Sequence, residues 1–260
     1  MKIKPLGLSV THCFLVKTGD HYVLVDTGYK DDWDLFRRRL DNVRVQLSQI
    51  SHIILTHHHN DHSGLLHNIL RENGAIQVVT SFLCKEFLLT GKNDYTHGGG
   101  FLNRRIALFM LLGLPPYLSW RLKKIMISEE KMTMFPPYQM RRYDTSVVGE
   151  PGLRDIGIPL DGKIIETPGH TVDSVSILFD NGDCLIGDAA SNEKVLQHLG
   201  AKYCAQFIAN MDAFYKSWEK IIAAGAYRIY PAHGSPFTVN KLKANLLKNR
   251  AENLVPYSST

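Results

Sequence analysis

The stretch that decides the fold runs from His52 to Ser63 and reads HIILTHHHNDHS. Its first five residues form an apolar, β-branched run typical of a buried strand, and a cluster of histidines follows at once. The chain has 12 histidines among 260 residues, so chance would produce the ligand pattern inside this cluster in only about one or two of a thousand such chains. An internal run that leaves a strand is unlike a purification tag, and we interpret it as a metal site. The pattern is His57-x-His59-x-Asp61-His62.

The chemistry of these side chains favours two metal ions rather than one. Neutral imidazoles and carboxylates are the ligands that borderline divalent cations prefer. His57 and His59 alternate as they leave the strand and share one face, whereas Asp61 and His62 lie further round the turn. Four ligands on one tetrahedral ion would leave no open position for a substrate. Two neighbouring ions, completed by donors from elsewhere in the chain, are therefore predicted.

Three further donors stand where predicted strands end. They are His170 in TPGHT, Asp188 in IGDA and His233 in PAHG. Each has a glycine or a proline nearby, which lets the backbone turn sharply towards a site. Each would be an ordinary surface or core residue if it stood alone. Together they supply the ligands that two ions need.

The pattern of apolar runs predicts an α/β protein made of two similar blocks. In the first block, two runs separated by Gly19-Asp20 form a hairpin, and regularly spaced apolar residues then mark an amphipathic helix. The second block repeats this order. The predicted strands are residues 8–18, 21–26, 52–56, 76–80, 164–167, 174–179, 184–186 and 227–230, and the main helices are residues 31–49, 211–224 and 239–251. Two such halves predict stacked sheets covered by helices.

The segment 81–150 between the blocks differs in composition. It is rich in Leu, Met, Phe, Tyr and Arg, holds ten Lys and Arg against six Asp and Glu, and carries Gly98-Gly99-Gly100 and two Pro-Pro pairs. We predict a helical insertion, 81–150, within a single domain of residues 1–260. The insertion either packs on the core or forms a lid over the site. Its apolar stripe is either core or an acyl-chain pocket, and comprises Phe101, Leu102, Ile106, Phe109, Met110 and Leu114.

Composition excludes several other classes of protein. At 44% hydrophobic and 21% charged residues, the chain is a folded protein rather than a disordered, collagen-like or coiled-coil one. Four cysteines without a CxxC or pairing pattern indicate neither a thiolate zinc site nor a disulfide framework, which predicts a reducing, cytoplasmic location. The first ten residues, MKIKPLGLSV, contain no apolar stretch of signal-peptide length, so secretion is not expected. The longest apolar run, 106–114, has about half of the roughly 20 residues that a membrane-spanning helix needs.

Together, these motifs resemble those of the metallo-β-lactamase superfamily of metallohydrolases. The resemblance includes Asp26 in VDTG, covers both blocks and leaves out the insertion. It implies a four-layer αββα sandwich, and it implies that Asp26 orients either a ligand or its loop without touching metal. It also implies a division of the ligands: His57, His59 and His170 on a first ion, Asp61, His62 and His233 on a second, and Asp188 bridging the two.

The resemblance further implies the chemistry. Two divalent ions are expected, with zinc as the first expectation and iron or manganese as alternatives. A hydroxide shared between the ions, beside the charged ligands Asp61 and Asp188, would attack the substrate, because metal lowers the pKa of bound water to about 7. The ions would then stabilise the oxyanion that develops. No protein nucleophile and no covalent intermediate are expected.

Differences between this sequence and individual branches of the superfamily restrict the range of expected substrates. Secreted β-lactamases generally carry Cys where this chain has Asp188, so antibiotic hydrolysis is not expected. Single-domain lactonases are closest in layout, including the 45 positions from Asp188 to His233. They usually place Tyr where this chain has Ser191, so another side chain would have to assist the carbonyl group. The candidates in the insertion are Tyr95, His97, Tyr117, Tyr138 and Tyr143.

The leading prediction is cleavage of a small-molecule ester, lactone or thioester that carries an acyl or anionic group. A phosphodiesterase or nuclease of the same fold is the alternative, although the basic residues lack the interleaved aromatics of a nucleic-acid groove, so nucleic acid is not an expected partner. A binding protein that merely retains the metals is a third possibility. The oligomeric state is left open.

Outside the motifs, His52, His58 and His67 are predicted to face solvent and Cys184 to lie in the core.

Overall fold

The computed structural model describes residues 2–94, 98–111 and 134–256. Within these ranges the strands, in chain order, are β1 (Ile3–Gly7), β2 (His12–Thr18), β3 (His21–Val25), β4 (Ile50–Ile54), β5 (Gln77–Ser81), β6 (Gly100–Phe101), β7 (Thr145–Val147), β8 (Gly162–Glu166), β9 (Val175–Phe179), β10 (Asp183–Leu185), β11 (Phe207–Ile208), β12 (Arg228–Tyr230), β13 (Phe237–Thr238) and β14 (Val255–Pro256). The α-helices are α1 (Trp33–Asn42), α2 (Asn60–Ser63), α3 (Leu66–Glu72), α4 (Cys84–Thr90), α5 (Arg104–Leu111), α6 (Lys194–His198), α7 (Met211–Ala223) and α8 (Asn240–Asn245). Short 3-10 turns occupy Lys30–Asp32, Leu47–Gln49, Arg154–Ile156 and Ala251–Asn253.

The first sheet has six strands in the order β1-β2-β3-β4-β5-β7. The strands β1, β2 and β3 are antiparallel neighbours, whereas β3, β4, β5 and β7 run parallel. Successive side chains of a strand point to opposite faces. In β2, Cys13 and Leu15 therefore pack towards the covering helices, and Phe14 and Val16 pack towards the second sheet. The sheet is buried on both faces.

The second sheet has five strands in the order β13-β12-β10-β9-β8. Its neighbours are antiparallel except for the parallel pair β10 and β12. One face of this sheet, with Ile164 and Ile177, meets the first sheet, and the other face packs under Trp218 of α7. Cys184 lies fully buried on that outer face, as the sequence predicted.

Three apolar clusters fill the spaces between four layers. One lies between the first sheet and α1, α3 and α4, one lies between the two sheets, and one lies between the second sheet and α7. Burial of an apolar face on each element is what drives such layering. The predicted α/β architecture, a four-layer αββα sandwich, is confirmed.

One edge of the sandwich collects the loops that carry the ligand-type residues. The four loops in question follow β4, β8, β10 and β12. Backbone hydrogen bonds tie these loops to one another: Val175 donates to the Thr56 carbonyl at 2.8 Å, and Ala232 donates to the Gly187 carbonyl at 3.0 Å. The side chains that leave these loops are therefore held at fixed separations.

The helix predicted over residues 31–49 is interrupted. The α-helix ends at Asn42, and Arg44 adopts a left-handed backbone conformation with φ of 55°. This turn carries Val45 into the core, where it is buried. Burial of one apolar side chain therefore overrides the helical spacing of its neighbours.

The last helix is also shorter than its apolar spacing predicts. The range 239–251 was expected to be helical, but α8 ends at Asn245. Leu247 is left-handed with φ of 57°, and the backbone N–H of Asn249 donates to the Tyr215 hydroxyl at 2.9 Å. A tertiary hydrogen bond thus replaces the continuation of the helix.

The segment 81–150 is only partly the helical insertion that its composition predicts. The helices α4 and α5 lie in it, and residues 112–133 fall outside the described part of the chain. Its end differs, because Thr145–Val147 forms β7 and pairs in parallel with β5. The β-branched residues of β7 favour a strand there. Residues 145–147, at the end of the predicted insertion, therefore belong to the first sheet.

Part of the apolar stripe that begins at Phe101 packs into the core, and Phe109 is half-buried. Leu102 and Ile106 are buried in the cluster under α7, and Met110 packs against it. Leu114 lies outside the described residues. Across residues 2–94, 98–111 and 134–256, no helix combines the length and the apolar character needed to cross a bilayer.

A buried carboxylate fastens β7 to the rest of the first sheet. Asp144 accepts hydrogen bonds from the backbone N–H of Val78 at 3.0 Å and from the Tyr138 hydroxyl, and it pairs with Arg141 at 2.9 Å. Burial alone raises the pKa of Asp144, but the hydrogen bonds from Arg141 and Tyr138 outweigh burial and lower the pKa. The carboxylate is therefore ionised in the folded protein.

Asp144→Asn is expected to lower the free energy of unfolding at neutral pH by about 2–3 kcal/mol, since an amide NH2 would face N–H donors. Because folding lowers the Asp144 pKa, the contribution is complete above the unfolded value of about 4 and disappears as the pH falls through the lower folded value. Urea unfolding at neutral pH and at about pH 3 measures this, and the difference should shrink in acid. Asp161→Asn, in an exposed pair with Arg154, is the matched control with little effect. Equal losses for both variants would contradict the expectation.

Candidate metal centre

Four loops bring the ligand-type side chains to one place. The loop after β4 and the start of α2 supply residues 57–62, and the loops after β8, β10 and β12 supply one residue each. Within each of three groups the donor atoms lie within 4.8 Å of one another and could hold a metal ion. The groups are His57, His59 and His170; His57, His62 and Asp188; and Asp61, His62 and His233. All seven side chains that the sequence singled out as ligands meet here.

The first group consists of three buried imidazoles. His59 Nδ1 lies 3.0 Å from His170 Nε2, and the His57 ring centroid lies 4.7 Å from that of His59 and 4.9 Å from that of His170. Burial lowers the pKa of all three rings, and neighbouring imidazoles lower those of His57 and His59 further. Neutral imidazole is the form that binds a metal ion. These rings are therefore ready to act as ligands at neutral pH.

Two carboxylates connect the imidazoles of the different groups. Asp188 Oδ2 lies 3.4 Å from His170 Nε2, and its Oδ1 lies 3.4 Å from both His62 Nε2 and His233 Nε2. Asp61 Oδ2 lies 3.2 Å from His233 Nε2. Burial alone raises the pKa of both carboxyl groups, but the charge of His62 and His233 outweighs burial and lowers it. Asp188 is thus an ionised group that faces donors of every group.

Two of the imidazoles are fixed by backbone carbonyl groups behind them. His170 Nδ1 lies 2.8 Å from the Phe207 carbonyl oxygen, and His233 Nδ1 lies 2.8 Å from that of Val10. Since a carbonyl oxygen only accepts hydrogen bonds, each ring carries a hydrogen on Nδ1. Nε2 of each ring then faces Asp188. Burial lowers the pKa of His170, so its Nε2 offers a lone pair there. For His233, the charges of Asp188 and Asp61 outweigh burial and raise the pKa, so its Nε2 offers a hydrogen. Such contacts behind a ring set its tautomer and its orientation.

Asp26 lies directly behind His62. Its Oδ2 accepts a hydrogen bond from His62 Nδ1 at 2.8 Å, and its Oδ1 accepts the Thr56 N–H at 2.8 Å. The Thr56 hydroxyl donates to the same carboxylate at 2.9 Å and lies 3.1 Å from His57 Nδ1. Asp26 has a left-handed backbone with φ of 59°, which aspartate tolerates better than most residues. One buried carboxylate therefore steadies rings in two groups.

The centre holds buried polar atoms that the protein leaves unsatisfied. Among the described residues, His57 Nε2, His62 Nε2 and Asp188 Oδ1 are buried and have no hydrogen-bond partner. Such atoms are rare in native proteins because each one costs free energy. These atoms are imidazole nitrogens and a carboxylate oxygen, which are the kinds of atom that coordinate a divalent cation. The residues present therefore fit divalent cations.

The prediction that His58 faces solvent is wrong. Its side chain is buried, and its Nδ1 lies 2.9 Å from Oδ1 of Asp173, which is also buried. Asp173 was not singled out from the sequence, where its only signal is a carboxyl group three positions after His170. The burial of His58 comes from α4, which covers its ring. His67 is exposed as predicted, and His52 is half-buried.

Two of the insertion residues that could have assisted a carbonyl group, Tyr138 and Tyr143, lie in the described part of the chain. Their hydroxyl groups bond to residues outside the ligand set. The Tyr138 hydroxyl donates to Asp144, and the Tyr143 hydroxyl donates to the Gly74 carbonyl at 2.9 Å. Both tyrosines are therefore engaged on the helix-covered side of the first sheet. Ser191 stands where the single-domain lactonases usually have a tyrosine. Its hydroxyl oxygen accepts a hydrogen bond from the backbone N–H of Glu193 at 3.4 Å. The other candidates lie outside the described residues, namely Tyr95, His97 and Tyr117.

A groove of about 380 Å³ opens beside His233. Its walls are residues 8–12 on one side and residues 192–195 and 234–235 on the other. Glu193 Oε1 lies 3.9 Å from His233 Nδ1, and burial raises the pKa of the Glu193 carboxyl group. Val10 and Glu193, which line the groove, both lie near His233 Nδ1, so the groove is on the side of the ring opposite to the Nε2 atom that faces Asp61 and Asp188.

Comparison with known proteins finds relatives along most of the chain. The beta-lactamase-like protein 2 homolog of Caenorhabditis elegans is 23% identical over 88% of this chain, which spans 58% of that protein. The probable metallo-hydrolase YqjP of Bacillus subtilis is 23% identical over 90% of this chain, which spans 70% of that protein. A shorter match of 66 residues, 38% identical, covers 25% of this chain and 20% of an atrochrysone carboxyl ACP thioesterase of Aspergillus aculeatus.

Solved structures share the fold. A metallo-beta-lactamase family protein of Thermus thermophilus superposes with a TM-score of 0.60 at 19% identity, over 94% of this chain and 78% of that one. An archaeal metallo-beta-lactamase superfamily protein of Sulfolobus tokodaii gives a TM-score of 0.58 at 17% identity, over 92% and 80%. A family model described as the metallo-beta-lactamase superfamily matches residues 6–233. Because that match spans both blocks and reaches the last of the loops that meet at the centre, the chain belongs to the metallo-β-lactamase superfamily.

Proposed function

We propose that this chain is a metal-dependent hydrolase whose site holds two divalent ions. The observation that carries the proposal is the meeting of seven donor side chains, three of whose buried atoms have no hydrogen-bond partner among the described residues. The ligand set contains no thiolate, so zinc, iron and manganese all suit it, with zinc as our first expectation. The first ion would be held by His57, His59 and His170, the second by Asp61, His62 and His233, and Asp188 would bridge them.

When bound, such ions lower the pKa of a coordinated water to about 7 and polarise the reacting oxygen of the substrate. The side chains of this chain supply position and charge. Two divalent ions would carry +4, and Asp61 and Asp188 remove two of those charges, so net positive charge remains to stabilise an oxyanion. Asp26 keeps the His62 ring aimed at the centre. A thiol nucleophile is not needed, and burial raises the pKa of all four cysteines.

The substrate class that we propose is a small ester, lactone or thioester. A relative along most of the chain is named a probable metallo-hydrolase, and the shorter match is to a protein named an ACP thioesterase. These names favour hydrolysis, and they favour the thioester within this class. A cytoplasmic location stays a prediction that agrees with four unpaired cysteines.

Metal loading followed by a panel of substrates tests this proposal. The protein is stripped with a chelator, reloaded with Zn²⁺ and assayed on p-nitrophenyl butyrate, γ-butyrolactone, the butyryl thioester of N-acetylcysteamine and bis(p-nitrophenyl) phosphate. We expect kcat/KM on at least one acyl substrate to exceed that of the stripped protein by on the order of 10²-fold or more. Mass spectrometry of the metals should find two equivalents of zinc.

The other outcomes of the panel separate the remaining functions. Cleavage of the phosphodiester alone would replace the proposal with a phosphodiesterase. Steeply salt-dependent binding of single-stranded RNA would favour a nuclease. Metal-loaded protein that is inert on every substrate would favour a binding protein that keeps its ions for structure.

A further inference from the structure

We infer that Asp173 is a positioning residue for the first ligand group, His57, His59 and His170, and that it acts through His58. The inference rests on the proposed function, because it assigns a role towards a metal ion. His58 stands between two of these ligands, and Asp173 stands three positions after the third. The pair therefore belongs to the same two loops that supply the group.

Two hydrogen bonds join these loops inside the protein. Asp173 Oδ2 accepts the backbone N–H of His58 at 2.9 Å, and Asp173 Oδ1 accepts from His58 Nδ1 at 2.9 Å. The side chains are 1% and 0% exposed, so water does not compete for these bonds. The Asp173 carbonyl oxygen also accepts the Ser81 hydroxyl at 2.9 Å, where β5 ends. One carboxylate thus sets the separation of the loop after β4 from the loop after β8.

The hydrogen bonds of His58 allow only one arrangement of its neutral ring. The backbone N–H of Asp94 donates to His58 Nε2 at 2.9 Å, so Nε2 carries no hydrogen. The ring hydrogen is then on Nδ1, where it donates to Asp173. The Phe87 ring stacks on His58 with centroids 4.4 Å apart. Rotation of the His58 ring would break both hydrogen bonds and the stacking contact together.

Through its hydrogen bond with the His58 backbone N–H, the Asp173 carboxylate orients the peptide group that carries this N–H. The orientation of a peptide group fixes the directions in which the side chains on either side leave the backbone. This peptide group joins His57 to His58, so the bond orients the ligand-type residue His57 directly and acts on His59 only through His58. An apolar pair of similar volume would stabilise the protein as well or better than a buried carboxylate, but it could not hold that peptide group. The choice of a carboxylate at residue 173 is therefore explained by ligand geometry.

Zinc titration of single-site variants tests the inference. His233→Ala removes a donor of the group Asp61, His62 and His233, and His170→Ala removes a donor of the group His57, His59 and His170. Each variant therefore keeps one proposed ion site. Asp173→Asn is introduced into each, and the Kd for Zn²⁺ is measured by competition with a chromophoric chelator. We expect Asp173→Asn to raise the Kd by about 10–100-fold in the His233→Ala protein and by less than about threefold in the His170→Ala protein.

Matched variants distinguish positioning from a general loss of stability. His58→Asn keeps an N–H donor near the place of Nδ1, so its Kd should stay within about threefold of the parent, whereas His58→Leu should reproduce the effect of Asp173→Asn. Asp144→Asn also breaks a buried carboxylate network, but it should leave both Kd values unchanged. If Asp173→Asn does not fold, His58→Leu carries the same comparison.

The results separate failure of this inference from failure of the proposed function. An equal rise of Kd in both backgrounds, or no rise in the His233→Ala protein, would overturn the positioning role and leave the metal site in place. Absence of zinc binding by the unsubstituted protein would overturn the proposed function and this inference together.

Discussion

Asp188→Ala is expected to reduce bound metal from two equivalents to about one and to lower kcat/KM by on the order of 10³-fold. The carboxylate has one oxygen 3.4 Å from His170 Nε2 and the other 3.4 Å from the Nε2 atoms of His62 and His233. Its loss removes a ligand from both proposed ions at once. It also removes a negative charge that offsets two cations held close together.

Metal analysis and turnover on the preferred acyl substrate measure this effect, with circular dichroism to establish that the variant is folded. Asp180→Ala is the control, because Asp180 is exposed on the turn between β9 and β10 of the same sheet. That variant should keep both equivalents of metal and full activity. Two equivalents and unchanged turnover in Asp188→Ala would remove the basis for a shared metal site.

The positions of the candidate ligands could be predicted from the sequence because each one follows a strand. Parallel neighbours such as β10 and β12 end at the same edge of a sheet, so the residues that follow them, including Asp188 and His233, meet there. Hydrophobic runs reveal where such strands end. The closely spaced pattern from His57 to His62 then indicated at which edge the candidate ligands gather.

The rest of the centre depends on contacts that no local pattern encodes. His58 looks like a spacer between two ligands, and its burial follows from α4 and from Asp94, which belong to the segment after β5. The strand β7 is only three residues long and lies at the end of a segment rich in helix-forming residues. Its place in the first sheet follows from the bonds that Asp144 makes to Val78. Both features come from residues distant in sequence.

Asp26→Asn is expected to weaken binding of the second ion by about 10–100-fold while leaving the backbone of its turn intact. Asparagine accepts the left-handed conformation of Asp26, so the variant changes charge and hydrogen bonding alone. Its amide has one accepting oxygen, but the carboxylate serves three donors: the Thr56 N–H, the Thr56 hydroxyl and His62 Nδ1. An amide oxygen has two lone pairs, so one of the three donors must lose its acceptor. If that donor is His62 Nδ1, the ring hydrogen of His62 is free to move to Nε2.

Zinc competition in the His170→Ala background measures the affinity, and two-bond ¹H–¹⁵N correlation spectra report which nitrogen of His62 carries the hydrogen. Asp20→Asn, on the exposed turn before β3, is the control that should change neither. Asp26→Ala completes the argument, because alanine in the left-handed region adds roughly 1–2 kcal/mol of strain. Alanine should therefore destabilise the protein more than asparagine while weakening zinc binding to a similar extent. If zinc affinity instead followed stability across the two variants, and the His62 tautomer did not change, Asp26 would be a structural residue of the turn with no role towards the ligand.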